Sequence, residues 1–254
     1  QEEIANKYLA LKFDGMMGGG GKYFNKRKDG RNLYTEFLQA GYYVVNDKTA
    51  MAATDSKKPF LGVFDDEGLP YDLGRMSDPD VASRVPTIAE MTKKAIELMK
   101  DHKNGFVMQV EGGKVDWAAH ANDAAGLIYD QIAFDHAVKV AIDFAEKDRN
   151  TLVIITTDHG NANPGLYYGD KADKNFEKLF TFKYTNNWVL MGHKRDASIY
   201  ELADRIYLAQ GYKMNENQLK FVFDKFQSQT SEGTYNEYKL PFKEYALYQS
   251  EHTS

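Results

Sequence analysis

Two apolar runs decide the fold class of this 254-residue chain, Phe106-Val107-Met108-Gln109-Val110 and Thr151-Leu152-Val153-Ile154-Ile155-Thr156-Thr157. Their length and their content of β-branched and aromatic residues are typical of buried strands. A long helical pattern lies between them, from about residue 123 to residue 147. A strand, a long helix and a second strand predict a βαβ unit, and therefore an α/β fold with a mostly parallel central sheet flanked by helices.

The chain before this unit carries shorter strand patterns and one clear helix start. Thr87-Ile88-Ala89-Glu90 is a capping box that follows Pro86, and it predicts a helix that ends near His102. Residues 65–86 are rich in turn formers and predict a loop. Three further short strands are predicted at residues 11–17, 41–45 and 60–64.

The character of the sequence changes after Pro164. Residues 165–185 are rich in Tyr, Phe and Lys and have no clean period, whereas residues 197–210 and 215–226 are predicted to form two amphipathic helices. We therefore divide the chain into three parts. They are an α/β core at residues 1–164, a helical or irregular insertion or lid at residues 165–245, and a return toward the core at residues 246–254.

The composition argues against several classes of protein. There is no cysteine, so thiolate chemistry and cysteine-ligated zinc are excluded. The 32 Lys and Arg residues against 37 Asp and Glu residues leave a net charge of −5, which argues against nucleic acid as a binding partner held by bulk charge. No apolar run is long enough to span a membrane, and the first residues carry no signal-peptide pattern.

Four consecutive glycines, Gly18 to Gly21, invite comparison with a phosphate-binding loop. That motif reads Gly-x-x-x-x-Gly-Lys followed by Ser or Thr. Here Met16 and Tyr23 occupy the first and the last position, so the motif fails at both ends. The run predicts a sharp turn with close backbone packing instead.

Carboxylate and imidazole side chains follow both apolar runs. Glu111 comes directly after the first run, and a helix would place Asp116 and His120 on one face. Asp158 and His159 follow the second run. Each segment alone also fits a solvated loop or a hydrogen-bonded turn. Parallel strands open at the same edge of a sheet, so the two groups together predict a site with two metal ions ~4 Å apart, suited to phosphoryl transfer.

These residues resemble the alkaline phosphatases, a family of metal-dependent phosphomonoesterases. The resemblance rests on the segments from Phe106 to His120 and from Asn150 to His159, in which residue types and spacing both match. It extends from about residue 10 to residue 165, with shorter similarities at residues 17–20, 58–62 and 85–87. It implies the large central sheet of that family with helices on both faces, of which this chain would form a C-terminal portion and thus a partial domain.

The resemblance implies a role for each matching residue. Asp116 and His120 match two ligands of a first zinc, and Asp158 and His159 match two ligands of a second zinc. Glu111 matches a carboxylate on a neighbouring magnesium. The implied cofactors are therefore two Zn and one Mg, and the implied substrates are phosphate monoesters.

Other positions vary within the family or depart from its pattern. Trp117 stands where relatives vary, at a position that tunes phosphate binding and metal preference. The family nucleophile is a serine in an Asp-Ser-Ala motif, and the only Asp-Ser of this chain, Asp55-Ser56, is followed by two lysines and is rejected. We therefore expect a phosphoserine mechanism whose serine lies outside this chain, and no turnover by this chain alone. Glu251-His252-Thr253 resembles the context of one more zinc ligand, but relatives carry a similar His-Thr shortly before the true ligand, so both assignments of His252 stay open.

Two other functions fit parts of the pattern. A phosphodiesterase or a phosphomutase of the same superfamily would share the Asp-His-Gly after the second run, whereas the segment from Glu111 to His120 favours a phosphatase. A non-catalytic module would use metal only to hold its fold. By resemblance, we also expect a homodimer and export to the periplasm or out of the cell.

Overall fold

The computed structural model describes residues 1–55, 57–161, 172–194 and 196–227. Contacts divide the chain into two compact units. Unit 1 comprises Gln1–Pro70, Asp78–Gly112 and Ile132–Ile155, and unit 2 comprises Tyr71–Ser77, Gly113–Gln131 and Thr156–Ser254. The boundaries predicted at residues 164–165 and 245–246 lie outside the described residues.

The described residues contain three strands, β1 (Gly15–Gly18), β2 (Tyr43–Val45) and β3 (Phe60–Val63). The helices up to the middle of the chain are α1 (Glu2–Leu11), α2 (Lys22–Asn25), α3 (Leu33–Gln39), α4 (Lys48–Ala53), α5 (Asp72–Ser77), α6 (Pro79–Arg84), α7 (Ile88–Met99) and α8 (Gly113–His120). They are followed by α9 (Ala124–Asp148), α10 (Ala172–Lys178), a short 3-10 turn (Leu179–Thr181), α11 (Asn186–Met191), α12 (Ile199–Gln210) and α13 (Glu216–Gln227).

Unit 1 is built on a parallel sheet with the strand order β1-β3-β2. Gly15 and Tyr43 both pair with Phe60, which makes β3 the central strand. All residues of β3 are buried. A strand forms within each of the three ranges predicted in the first part of the chain, but β1 begins only at Gly15, because Leu11 is the last residue of α1. The sheet is parallel, as predicted for the fold as a whole. The core beside the sheet is apolar and partly aromatic, and it includes Phe24, Leu33, Phe37, Leu61 and Val63.

The glycine run after β1 forms the predicted tight turn. Gly20 has a φ of +89°, a backbone conformation that residues with a Cβ rarely adopt. A Cβ at Gly19 would lie 2.5 Å from the backbone oxygen of Glu67, so only glycine fits this close approach. The Gly21 N–H donates to the Asp65 carbonyl at 2.9 Å. The chain therefore turns here by backbone contact with residues 65–67.

Capping side chains mark the starts of α6 and α7. The start of α6 lies within the range that was predicted to be a loop. The capping box of α7 is confirmed: Thr87 Oγ1 accepts from the Glu90 N–H at 3.1 Å, and Glu90 Oε2 accepts from the Thr87 N–H at 2.9 Å. The loop predicted over residues 65–86 is wrong in part, because α5 and α6 lie within it. Asp78 caps α6 by accepting from the Asp80 and Val81 N–H groups, and Pro79 opens the helix.

The apolar runs at residues 106–110 and 151–157 are not strands, so that prediction is wrong. Neither run belongs to a helix or a strand, and no backbone–backbone hydrogen bond joins either run to another described residue. Their composition is that of strands, but a strand exists only when a neighbour completes its ladder of hydrogen bonds. The long helix predicted between them is confirmed as α9.

Unit 2 contains a separate helical core. Buried side chains of α11, α12 and α13 pack together, with Val189, Leu190, Leu202, Ile206 and Val222 at the centre. The helices predicted at residues 197–210 and 215–226 are confirmed as α12 and α13. None of the described helices combines the length and the hydropathy that a membrane-crossing helix requires.

Candidate metal centre

The first predicted ligand pair lies on α8 in unit 2. Asp116 and His120 share one face of this helix, with His120 Nε2 3.5 Å from Asp116 Oδ1. Both side chains are partly exposed, so their ligating atoms remain accessible. A Cβ at Gly112, just before the helix, would lie 3.0 Å from the Phe134 ring, so a side chain there would need that ring to shift by a few tenths of an ångström. Because residues 113–120 are helical, the four-residue spacing places Asp116 and His120 on the same face, as the sequence predicts.

The second predicted pair lies in the loop that follows residues 151–157. His159 Nε2 is 3.6 Å from Asp158 Oδ2, and the His159 N–H donates to Asp158 Oδ1 at 3.0 Å. The opposite ring nitrogen, Nδ1, lies 3.2 Å from the Gly160 carbonyl oxygen. In the neutral tautomer in which Nδ1 donates to that carbonyl, Nε2 keeps its lone pair and can bind a metal ion beside Asp158. A backbone carbonyl that fixes one ring nitrogen is a usual companion of a metal-binding histidine.

Asn161 links the two pairs. Its Nδ2 donates to Asp116 Oδ1 at 2.8 Å, so the loop that carries Asp158 and His159 lies against α8. The sequence prediction did not include this residue. Its signal was weak, because a single amide shortly after the second pair is common in loops. In this bond the amide N–H of Asn161 donates and the Asp116 carboxylate accepts, and an amide nitrogen has no lone pair to offer a cation.

Part of the predicted ligand set belongs to the other unit or lies outside the described residues. Within the described ranges, no three side chains of the types His, Asp and Glu gather closely enough to hold one ion. Glu111 is exposed at the end of a segment of unit 1. His252 and Ser56 lie outside the described residues. The complete ligand set therefore stays a prediction.

The donor chemistry of the two pairs fits zinc. Zinc sites in proteins use imidazole nitrogen and carboxylate oxygen, and a catalytic zinc usually has three protein ligands. Each Asp-His pair supplies two such donors with an accessible ligating nitrogen. Each zinc would therefore need at least one further ligand, beyond the pairs that the described residues bring together.

Trp117 holds a cation beside the first pair. Lys114 Nζ lies 3.8 Å from the centre of a Trp117 ring and 4.5 Å from that of Tyr71, within cation–π distance of both. Trp117 remains 43% exposed. The sequence prediction named Trp117 and passed over Lys114. The structure therefore adds a positive charge on the first turn of the helix that carries Asp116.

A buried carboxylate anchors the end of α8. Asp123 Oδ1 accepts from the Gly126 N–H at 2.8 Å and caps α9, while Oδ2 accepts from the Asn186 N–H at 2.5 Å at the start of α11. Burial raises the pKa of Asp123, and the two backbone donors oppose that rise. One side chain thus positions two helix starts next to the helix that carries the first pair.

A second buried acid, Asp130, lies on α9 itself. Asp130 accepts from the Asp72 N–H, at 3.3 Å and 3.2 Å to its two oxygens. Burial raises the pKa of Asp130 to about 7, and this effect exceeds the stabilisation of the carboxylate by the Asp72 N–H. The sequence pattern did not single out this residue, because burial of an acid is not visible in a helical pattern.

Comparison with known proteins decides the family. A family model for alkaline phosphatase matches residues 1–238. The chain belongs to the alkaline phosphatase family. The match to this family continues well past residue 165, where the similarities visible in the sequence alone end.

Individual alkaline phosphatases show how much of the family chain is present. Alkaline phosphatase 4 of Bacillus subtilis (strain 168) is 36% identical over 240 residues, which cover 91% of this chain and 49% of that protein. Alkaline phosphatase 3 of the same organism is 43% identical over 148 residues, which cover 58% of this chain and 30% of that protein. The crystal structure of Thermus thermophilus alkaline phosphatase matches with a TM-score of 0.87 at 26% identity, over 97% of this chain and 53% of that one.

These matches confirm the predicted fold class, an α/β fold of the alkaline phosphatase type present as a partial domain. The chain spans about half the length of Alkaline phosphatase 4 and of the Thermus thermophilus enzyme.

Proposed function

We propose that this chain supplies the zinc-binding half of an alkaline phosphatase that hydrolyses phosphate monoesters. The observation that carries the proposal is the hydrogen bond from Asn161 to Asp116, since it brings the loop of one Asp-His pair against the helix of the other. Family membership supplies the reaction class. We assign Asp116 and His120 to one zinc and Asp158 and His159 to a second, as the sequence predicts.

The remaining predicted cofactor and ligand assignments complete this proposal. Glu111 is assigned to a magnesium ion, and His252 remains a candidate for one further zinc ligand. Zinc, when bound, supplies a Lewis acid that polarises a phosphoryl oxygen. The family resemblance also supports a homodimer and export to the periplasm or out of the cell.

The protein side chains prepare the site for cation and phosphate. Asp116 is oriented by the amide of Asn161, which holds its Oδ1 in place. His159 is oriented by its contact with the Gly160 carbonyl. Lys114, held between two aromatic rings, supplies positive charge that would attract a phosphate dianion. We therefore treat Asn161 as a positioning residue and Trp117 as the support of a phosphate-attracting cation.

The nucleophile is proposed to come from outside this chain. No Asp-Ser-Ala segment occurs in these 254 residues. In the proposed reaction, a serine of the other half of the enzyme attacks phosphorus, the P–O bond to the alcohol breaks, and a phosphoserine forms. Water then hydrolyses that ester and releases phosphate, which returns the serine to its starting form.

Zinc binding tests the assignment of the ligands. We expect the purified chain to bind zinc, and Asp116→Ala and Asp158→Ala each to weaken that binding strongly while the far-ultraviolet circular dichroism stays unchanged. Asn161→Ala removes only an orienting contact and is expected to weaken zinc binding by about 10- to 100-fold. Asp204→Ala, an exposed acid on α12, is the matched control and should leave zinc affinity unchanged.

The outcomes separate the proposed site from a structural ion. If the ligand variants lose zinc and also lose their helical signal, the metal holds the fold, and the non-catalytic module is the better account. If both variants bind zinc as well as the Asp204→Ala control, the ligand assignment is wrong. Preference for an aryl phosphodiester over a phosphomonoester by the complete enzyme would favour a phosphodiesterase of the same superfamily.

A further inference from the structure

A small cavity opens at the amino-terminal edge of the sheet in unit 1, and we call it the edge cavity. Its volume is about 200 Å³. Its lining includes Asp14, which precedes β1, and Lys58, which precedes β3. The Phe60 N–H donates to the Asp14 carbonyl at 3.1 Å, so the starts of these two strands lie side by side. None of the predicted metal ligands within the described residues lines the edge cavity.

The floor of the edge cavity consists of three buried apolar side chains, Phe60, Leu98 and Met99. Gly15 is the partner of Phe60 on β1, and a Cβ at Gly15 would overlap the Phe60 ring. The glycine therefore lets the ring lie against β1 at this point. An apolar floor of this kind favours a ligand that carries a short hydrocarbon chain, because both surfaces then leave water.

Charged side chains surround the mouth of the edge cavity, and only some of them are paired. Lys57 Nζ lies 3.1 Å from Asp55 Oδ2, so the charge of Lys57 is compensated. Lys58 Nζ lies 5.4 Å from the centre of the Tyr43 ring, a cation–π contact that leaves the positive charge in place. Across the described part of the chain, Lys58 and Asp14 form no salt bridge with each other, although both line the cavity. A gap between opposite charges therefore lies above the apolar floor.

We propose that the edge cavity binds a small zwitterion, a molecule with a carboxylate and an ammonium group on a short hydrocarbon chain. Its carboxylate would lie against Lys58, its ammonium group against Asp14, and its hydrocarbon chain on the floor. An apolar amino acid has this chemistry. The inference rests on unit 1 alone and does not depend on the proposed hydrolysis.

The charges and the size of the edge cavity disfavour other small ligands. A plain anion would meet the carboxylate of Asp14, and a dianion such as phosphate would find only one uncompensated ammonium group, that of Lys58. The volume is below the ~300–1,000 Å³ that is usual for drug-sized ligands, so only a small molecule fits.

Methyl NMR of the complete 254-residue chain tests this site with L-norleucine as the probe. The methionine methyl groups are labelled with carbon-13, and Met99→Leu, which keeps the floor apolar, assigns the Met99 signal. We expect norleucine to shift the Met99 signal saturably, with a dissociation constant on the order of 1 mM for so small a ligand. Met76 and Met191 are exposed and do not line the cavity, so their signals should not shift saturably.

Two relatives of the probe each lack one charged group, since hexanoate has no ammonium group and pentylamine has no carboxylate. We expect each to bind the unaltered chain about threefold to tenfold more weakly than norleucine does. This comparison needs no variant, so it does not depend on the folding of a variant.

Two variants remove the matching charges of the protein. Lys58→Gln should weaken the binding of norleucine and hexanoate by about the same factor and leave that of pentylamine undiminished. Asp14→Asn should weaken the binding of norleucine and pentylamine and leave that of hexanoate undiminished. Lys103→Gln is the matched control, because Lys103 is an exposed lysine beside His102 in the sequence, and His102 lines the cavity whereas Lys103 does not. The control should bind norleucine as the unaltered chain does.

The possible results decide the proposal. A saturable shift of Met99 together with the expected pattern of compounds and variants supports it. An unmoved Met99 signal at about twenty times the expected dissociation constant would overturn it. Hexanoate binding as tightly as norleucine would make this a plain carboxylate site, and an equal loss of affinity in Lys103→Gln would indicate diffuse surface charge; either result would also overturn it. Norleucine binding by a chain that fails to bind zinc would leave this site standing and count against the proposed function alone.

Discussion

At the scale of single residues, the buried Asp130 connects packing to pH. Burial raises its pKa to about 7, above the value of an unfolded aspartate, so the folded chain binds this proton more tightly than the unfolded chain. Its contribution to stability is therefore fully present below about pH 4 and is lost as the pH rises toward 7. Lys114 and the Asp72 N–H reduce this loss but do not remove it.

The variant Asp130→Asn tests this linkage. An asparagine keeps an oxygen that can accept from the Asp72 N–H and removes the ionisation. We expect the variant to be more stable than the unaltered chain at pH 8 by up to roughly 4 kcal/mol, and close to it at pH 4. Urea unfolding at several pH values measures the difference. A difference that stays constant between pH 4 and pH 8 would contradict the assignment of the raised pKa to this group.

The candidate site shows what residue types alone can predict. Asp116, His120, Asp158 and His159 were predicted as metal ligands because their chemistry and spacing are visible in the sequence, and that assignment stays a prediction. Asn161 and Lys114 were not, since their roles depend on which loop lies against which helix. An amide or an ammonium group becomes informative only after the fold has placed it beside a carboxylate or an aromatic ring.

At the scale of elements, α7 and α12 depend on the same local device. Both begin with a capping box in which a hydroxyl and a glutamate satisfy backbone N–H groups, Thr87 with Glu90 and Ser198 with Glu201. We expect Thr87→Ala to lower the free energy of unfolding by about 1 kcal/mol, because one helix N–H loses its acceptor. Ser198→Ala should have an effect of similar size.

Thermal unfolding measures the effect of the caps. A loss of this size lowers the melting temperature of a chain of this length by about 2–4 °C. Lys93→Ala is a suitable control, because it removes only a 3.9 Å ion pair to Glu97 on the exposed side of α7. If Thr87→Ala shifts the melting temperature no more than the control does, the capping box does not stabilise α7.

The long helices α7, α9, α12 and α13 and the short strands were predicted from the sequence because their signals are local, whereas α1 and the short helices α2 to α6 were not. Capping boxes, the glycine turn and amphipathic periods act within a few residues of the element that they define. The start of α6 was also signalled locally, by Asp78 followed by Pro79, but the density of turn formers in residues 65–86 obscured it. The apolar runs at residues 106–110 and 151–157 failed for a different reason, because a strand needs a partner that the local sequence does not contain.

At the scale of the whole molecule, the central claim is that this chain binds the metals and another part of the enzyme supplies the serine. The direct measurement is zinc-dependent hydrolysis of an aryl phosphate by the chain alone and by the chain refolded with the other half of Alkaline phosphatase 4. We predict no hydrolysis by the chain alone, hydrolysis by the refolded pair, and loss of that activity in Asp158→Ala with the pair still assembled. Zinc-dependent release of phosphate by the chain alone, or full activity of the Asp158→Ala pair, would contradict the account.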